Sequence, residues 1–253
     1  MLDGYILCGT PRSGSTLLCG LLESTGRTGV PDSYYHRRRF MADWAEEWQL
    51  PQPETMTVAA YDKAYLEAAI KAGKGGSDVF GLRLMRQYLD ELSGILDRIY
   101  PGLPNDSARL ERAFGRLLYI HLSRADKLAQ AVSLVKAEQT GLWHKAPDGR
   151  EIERLAPPQD PHYDFARLRQ EVTTLEGDDA AWNVWFEAQG ITPLRIDYEA
   201  LASDPAGTLL RICAALGVAA PPIGDIKPAV AKLSDAVSRD WMRRYRQDLA
   251  ATP

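Results

Sequence analysis

The stretch Tyr5-Ile6-Leu7-Cys8-Gly9-Thr10-Pro11-Arg12-Ser13-Gly14-Ser15-Thr16, running into Leu17-Leu18, decides the fold. It reads as a strand, a glycine-bearing turn and a helix start, the arrangement that cradles a phosphate on backbone N–H groups. The spacing from Gly9 through Gly14 to Thr16 is that of a nucleoside-triphosphate loop, except that Ser15 stands where the lysine should be. Such a lysine spans the β- and γ-phosphates while the neighbouring hydroxyl holds Mg²⁺. Ser15 cannot do this. The cation comes earlier, at Arg12, whose guanidinium can fork onto one phosphate and a second oxyanion. The loop therefore reads as a site for a single 5′-phosphate bearing a further group, against the plainer reading of a turn capped by Ser13 or Ser15.

Two other segments bear on that choice. Residues 116–122 read as a buried strand and 125–140 as the following helix, which puts Arg124 at the carboxyl end of a strand, where open α/β sheets bind ligands. Ser133 lies further along the same helix, with Gln130 between them. Farther on, Pro193-Leu194-Arg195-Ile196-Asp197-Tyr198-Glu199-Ala200-Leu201 leads to Asp204-Pro205 and a helix over 208–216 that stops at Gly217.

Pro11-Arg12-Ser13-Gly14-Ser15-Thr16 after a first strand resembles the 5′-phosphosulfate loop of sulfotransferases that use 3′-phosphoadenosine 5′-phosphosulfate (PAPS). Arg124-Ala125-Asp126 with Ala129-Gln130-Ala131-Val132-Ser133 is similar to their 3′-phosphate segment, and Tyr198-Glu199 with Asp204-Pro205 to a third element of the same enzymes. The whole arrangement looks most like the bacterial trehalose 2-sulfotransferase family. Gly29-Val30-Pro31-Asp32-Ser33-Tyr34-Tyr35, Phe80-Gly81-Leu82-Arg83-Leu84-Met85, Gln139-Thr140-Gly141-Leu142-Trp143 and Asp235-Ala236-Val237-Ser238 carry that likeness along most of the chain. The resemblance implies a P-loop-type parallel sheet with helices on both faces. It also implies PAPS as donor, held by Arg12, Ser13, Gly14, Ser15, Thr16, Arg124 and Ser133, with no metal, and a small acceptor, a sugar or glycolipid. A homodimer is implied as well. The rival readings are a small-molecule kinase on a related fold, which Ser15 disfavours, and a non-catalytic phosphoadenosine- or sugar-binding protein.

The acceptor side departs from the family. There the turn after the first helix reads Gly-Glu-Pro-x-Glu-Phe, and its second glutamate is the proposed base; here Val30 and Ser33 occupy the two glutamate positions. A lone serine is no general base near neutral pH. His36, or Asp32 with its pKa raised by burial, is the expected substitute, and His121 and His144 are further candidates. Of the four histidines, at most one serves.

Bulk properties set the frame. A chain of 253 residues, 45% hydrophobic and 25% charged, suits one ordinary α/β domain. The net charge of −4 argues against a nucleic-acid surface. Arg37-Arg38-Arg39 reads as a solvated face, and Arg239 with Arg243-Arg244-Arg246 as a cluster with more claim on phosphates. Cys8, Cys19 and Cys213 have no paired spacing and read as buried reduced thiols. With no signal-like leader and no apolar stretch able to span a bilayer, the expectation is a cytoplasmic enzyme. Strands are expected at 4–8 and 79–84, and helices at 15–24, 40–48, 61–72, 87–99 and 163–189. An irregular proline-rich segment at 143–161 is expected to be a lid or acceptor-binding piece.

Overall fold

The computed structural model describes residues 2–227, 230 and 233–251. Its centre is a four-stranded, wholly parallel sheet of β1 (Gly4–Gly9), β2 (Phe80–Met85), β3 (Leu117–Ser123) and, at one edge, a late strand, Leu194–Asp197, in the order β2-β1-β3-late strand. Every residue of β1 is buried, as a central parallel strand covered on both faces requires. Its side chains alternate between two cores. Ile6 and Cys8 join Leu82, Leu84 and Trp182 on one face, and Tyr5 and Leu7 join Leu18, Leu22, Leu209 and Ile212 on the other. The α/β architecture expected from the sequence is thus present.

The connections are helical, as parallel neighbours demand. Helices α1 (Ser15–Glu23), α2 (Arg38–Glu47) and α3 (Val58–Lys74) join β1 to β2, and α4 (Leu89–Ile99) and α5 (Asp106–Phe114) join β2 to β3. Helix α6 (Lys127–Thr140) follows β3. A hairpin of β4 (Leu142–Lys145) and β5 (Glu151–Arg154) comes next, then α7 (Phe165–Ala188), the edge strand β6 (Leu194–Asp197), α8 (Tyr198–Ser203), α9 (Pro205–Leu216) and α10 (Ala236–Ala251).

Helices α5, α8 and α10 and the β4–β5 hairpin are not in the sequence reading. Helix α5 is absent from it because only Leu110 and Phe114 of nine residues are buried, too few turns to set a period; its start is fixed locally by Asn105, whose side chain accepts from Ala108 N–H. The stretch 143–161, expected to be irregular, begins with an antiparallel hairpin whose register shifts twice, which erases the alternation that announces a strand. Its turn carries Asp148-Gly149, with Gly149 at φ 88°.

The aromatics of α7 are core: Trp182 is fully buried, stacks on Phe186, and donates its indole N–H to Gly9 O at 2.9 Å. That bond ties the longest helix to the last residue of β1. Cys8, Cys19 and Cys213 are buried free thiols, as expected. Arg37, Arg38 and Arg39 are exposed, but so are Arg239, Arg243, Arg244 and Arg246. In the second cluster Arg243 and Arg244 pair with Asp240, and Arg244 lies over Tyr163, so their partners are protein groups. No helix among the described residues is long and apolar enough to cross a membrane.

Candidate functional site

The loop between β1 and α1 sits at the carboxyl end of the sheet, where the strand order brings β1, β3 and β6 side by side. Gly14 precedes α1 at φ 94°, a left-handed conformation that suits glycine. A Cβ there would come within 2.5 Å of the Tyr198 ring, so the position is excluded sterically as well. No side chain caps α1, which removes the plain capped-turn reading of Ser13 and Ser15. Gly14, Ser15, Thr16 and Leu17 line the cleft, so the first turn of α1, with the positive end of its helix dipole, borders it.

The loop is held from below by α6. Gln130, fully buried, donates its Nε2 to Thr10 Oγ1 at 2.8 Å and to Pro11 O at 2.6 Å. Ser13 Oγ is buried without a partner, and so is Arg124 Nε. The Arg124 guanidinium lies 4.5 Å over the Tyr198 ring and donates Nη1 to Arg12 O at 3.3 Å. Beside it, Glu199 accepts from Ala125 N–H at 3.4 Å, at the entry to α6. The Tyr198-Glu199 element therefore shapes the site as well as the fold.

Arg12 has a left-handed backbone, φ 61°, unusual for a non-glycine residue. Its guanidinium donates Nε to Ser133 Oγ at 3.0 Å and Nη1 to Trp143 O at 2.9 Å. Burial, and then the charge of Arg124, bring its pKa down to about 10, so it stays charged at neutral pH. The sequence reading gave Arg12 and Ser133 to opposite ends of the donor. In the structure they touch, because α6 runs directly past the loop.

On the other side of α1, Arg83 binds three groups: Ser33 Oγ from Nε at 2.9 Å, Thr16 Oγ1 from Nη1 at 3.1 Å, and Asp32 Oδ1 from Nη2 at 2.7 Å. Asp32 Oδ1 also accepts the Ser33 N–H at 2.6 Å. Asp32 and Ser33 are thus occupied by an arginine that the sequence reading noted but did not place in the site. His36 packs on Phe40 and Tyr88, ring centroids 4.6 and 4.3 Å away. Burial, with the charges of Arg37 and Arg83, lowers its pKa to about 4, making it a weak proton acceptor. His121 lies on β3 in the interior, where its Nδ1 meets Arg195 Nη1 at 2.9 Å. His144 instead faces Arg12, and Nδ1 of His144 meets Oε2 of Glu153 at 2.6 Å.

Arg12, Asp32, Ser33, His36, Arg83, Arg124, Ser133, His144 and Glu153 line one cleft of about 1690 Å³, beyond the range of ordinary single-ligand pockets and roomy enough for a nucleotide and an acceptor together, whereas the buried Ser13 and His121 are not part of its lining. Helix α2 forms part of its wall with Phe40, Asp43, Trp44 and Glu47, one helical face. Among the described residues no cluster of His, Cys, Asp and Glu is arranged to hold a metal ion.

The sequence pattern of the Stf0 sulphotransferase family matches residues 4–248, nearly the whole chain and every residue of the loop. The chain belongs to that family. Trehalose 2-sulfotransferases from Mycolicibacterium smegmatis and from Mycobacterium tuberculosis are each 25% identical to it, over 96% of this chain and 94% of their own. Among solved structures, the sulfotransferase domain of the Synechococcus PCC 7002 olefin synthase covers 100% of this chain, and is itself covered to 96%, at 16% identity and a TM-score of 0.44. The sulfotransferase domain of the curacin biosynthetic pathway covers 98%, with 98% of its own length matched, at the same identity and score.

For a member of the Stf0 sulphotransferase family, Glu153 is the site residue that sequence reading missed. The signal was there: Asp148-Gly149 is a hairpin turn, and folding about it puts Glu153 opposite His144.

Proposed function

We propose that this Stf0 family member transfers a sulfonyl group from PAPS to a hydroxyl of a sugar-containing acceptor. One observation carries the donor half: an uncapped helix start flanked by two arginines, Arg12 and Arg124, in one cleft. The buried, unpartnered Arg124 Nε supports a further anion beside the loop, and fits the 3′-phosphate of such a donor. Arg12, Ser13, Gly14, Ser15 and Thr16 would hold the 5′ end, and Arg124 and Ser133 the 3′ end.

The donor, when bound, supplies a sulfonyl group activated by its phosphate leaving group. What the chain adds is position and charge. Arg12 and the first-turn N–H groups of α1 take up negative charge on the departing phosphate without reorganisation, since Gln130 and Trp182 already fix the loop. Arg83 aligns Asp32 and Ser33 at the acceptor side of α1. The helical face of Phe40, Asp43, Trp44 and Glu47 supports a sugar acceptor, because aromatic rings cover the apolar faces of a pyranose while carboxylates accept its hydroxyls. The trehalose-acting relatives support the same class.

We place the enzyme in the cytoplasm, and the family resemblance favours a homodimer, which light scattering would read. The deciding assay is transfer of labelled sulfate from PAPS to a panel of trehalose, other sugars and glycolipids, paired with thermal shifts. Product formation with stabilisation by adenosine 3′,5′-bisphosphate and not by Mg-ATP supports the proposal. Stabilisation by Mg-ATP alone would replace it with a kinase, and nucleotide binding without transfer to any acceptor with a binding protein.

A further inference from the structure

We infer that His144, oriented by Glu153, is the general base that takes the proton from the acceptor hydroxyl, an assignment that rests on the sulfonyl-transfer reading above. The two residues face each other across the β4–β5 hairpin, and Nδ1 stands 2.6 Å from Glu153 Oε2. On its other side Nε2 lies 3.3 Å from Arg12 Nη1. A guanidinium only donates and a carboxylate only accepts. Together these partners place the hydrogen on Nδ1 and leave the Nε2 lone pair directed at Arg12, in the cleft beside the phosphate loop.

The carboxyl of Glu153 is held below its ordinary range, chiefly by the hydrogen bond from His144, which outweighs burial, with the charges of His144, Arg83 and Arg12 adding to it. It is therefore an anion at neutral pH, able to fix the tautomer and to stabilise the imidazolium that forms. This is the base-plus-orienter geometry expected of a working histidine. The Nε2 lone pair becomes free when Arg12 turns from it to the phosphate of a bound donor, whereas the alternatives are held by groups that no donor would draw away. Ser33 and Asp32 are bonded to Arg83, His36 is desolvated against Phe40 and Tyr88, and His121 is bonded to Arg195 in the interior.

The step balances without a further reactant. The acceptor O–H proton passes to Nε2, and its oxygen forms a bond to sulfur. The bond from sulfur to the phosphate oxygen breaks, and its electron pair leaves on adenosine 3′,5′-bisphosphate. Because Arg12 touches both Ser133 and Nε2, the base stands beside the group that meets the donor, which is where proton removal must occur.

The test uses the full chain, PAPS, and trehalose or the best sugar of the panel. His144→Gln should lower kcat about 100- to 1000-fold while leaving the donor KM and the thermal shift by adenosine 3′,5′-bisphosphate within about twofold. Glu153→Gln should cost about tenfold in kcat. Added imidazole should restore part of the activity of His144→Gly. Nitrogen-15 spectra of the ligand-free protein should show Nδ1 protonated and Nε2 bare, and Glu153→Gln should erase that preference. That last reading needs no turnover.

A kcat for His144→Gln within threefold of wild type, with transfer by wild type intact, overturns the base assignment alone. So does an Nε2–H tautomer in wild type. If His144→Gln melts early, Glu153→Gln and the spectra decide. Wild type that transfers nothing overturns the sulfonyl-transfer reading and this inference with it.

Discussion

Gln130 Nε2 lies 2.8 Å from Thr10 Oγ1, a buried bond between the middle of α6 and the loop that opens α1. It fixes the loop between β1 and α1 through a side chain held away from the cleft lining. Gln130→Leu preserves volume but strands Thr10 Oγ1 and removes the contact to Pro11 O. The expected loss is about 1–3 kcal/mol of stability in urea unfolding, together with a raised donor KM. Unchanged midpoint and KM would mean the loop holds its shape unaided.

Arg12, in the loop, and Arg124, at the end of β3, should separate by nucleotide. Arg124→Ala should weaken binding of adenosine 3′,5′-bisphosphate by ~2–5 kcal/mol and that of the analogue lacking the 3′-phosphate far less. Arg12→Ala should weaken both and abolish transfer. Isothermal titration of the two nucleotides against each variant checks this, and equal losses in Arg124→Ala would remove it from the 3′-phosphate.

Arg83 joins Asp32, Ser33 and Thr16, three groups that a lysine cannot fork onto together. Arg83→Lys should lower kcat/KM for the acceptor about 10- to 100-fold through misplacement, with the nucleotide thermal shift retained. Steady-state kinetics in acceptor at saturating donor read the effect, and a loss confined to donor KM would contradict it.

His36 gives the fold an acid sensitivity. Its pKa is about 4 in the folded chain against an ordinary 6.5, so below that ordinary value the unfolded chain binds the proton first. Stability from this group is full above the ordinary value and is lost as pH falls towards 4. Allowing for its partial exposure, wild type should lose about 2 kcal/mol more than His36→Phe between pH 7 and pH 4. Denaturant titrations at both pH values measure the difference, and parallel losses would show that His36 is not the group responsible.

Much of this was legible in the chain. β1 and its loop are local: an apolar run, then a glycine where the backbone must turn left-handed, then a helix start. The places of Arg124, just past a strand end, and of Ser133, on the helix that follows, were readable from the apolar run and the helix period. Arg12 was readable as a cation but not as a partner of Ser133, since that contact depends on how α6 passes the loop. Helix α5 was not readable for want of turns, and of the hairpin only the Asp148-Gly149 turn was, because shifted register breaks the alternation of its strands.

The sequence by itself determined the parallel α/β fold and the glycine-bearing loop between β1 and α1, because both follow from short-range periodicity and backbone geometry. The tertiary structure decided which side chains work together. Arg83 on β2 gathers Asp32, Ser33 and Thr16 from the crossover that leads to it, and the hairpin carries His144 and Glu153 to Arg12. Those meetings join residues up to 132 positions apart, and no local pattern encodes a contact that only the packing of helices and hairpin over the sheet creates.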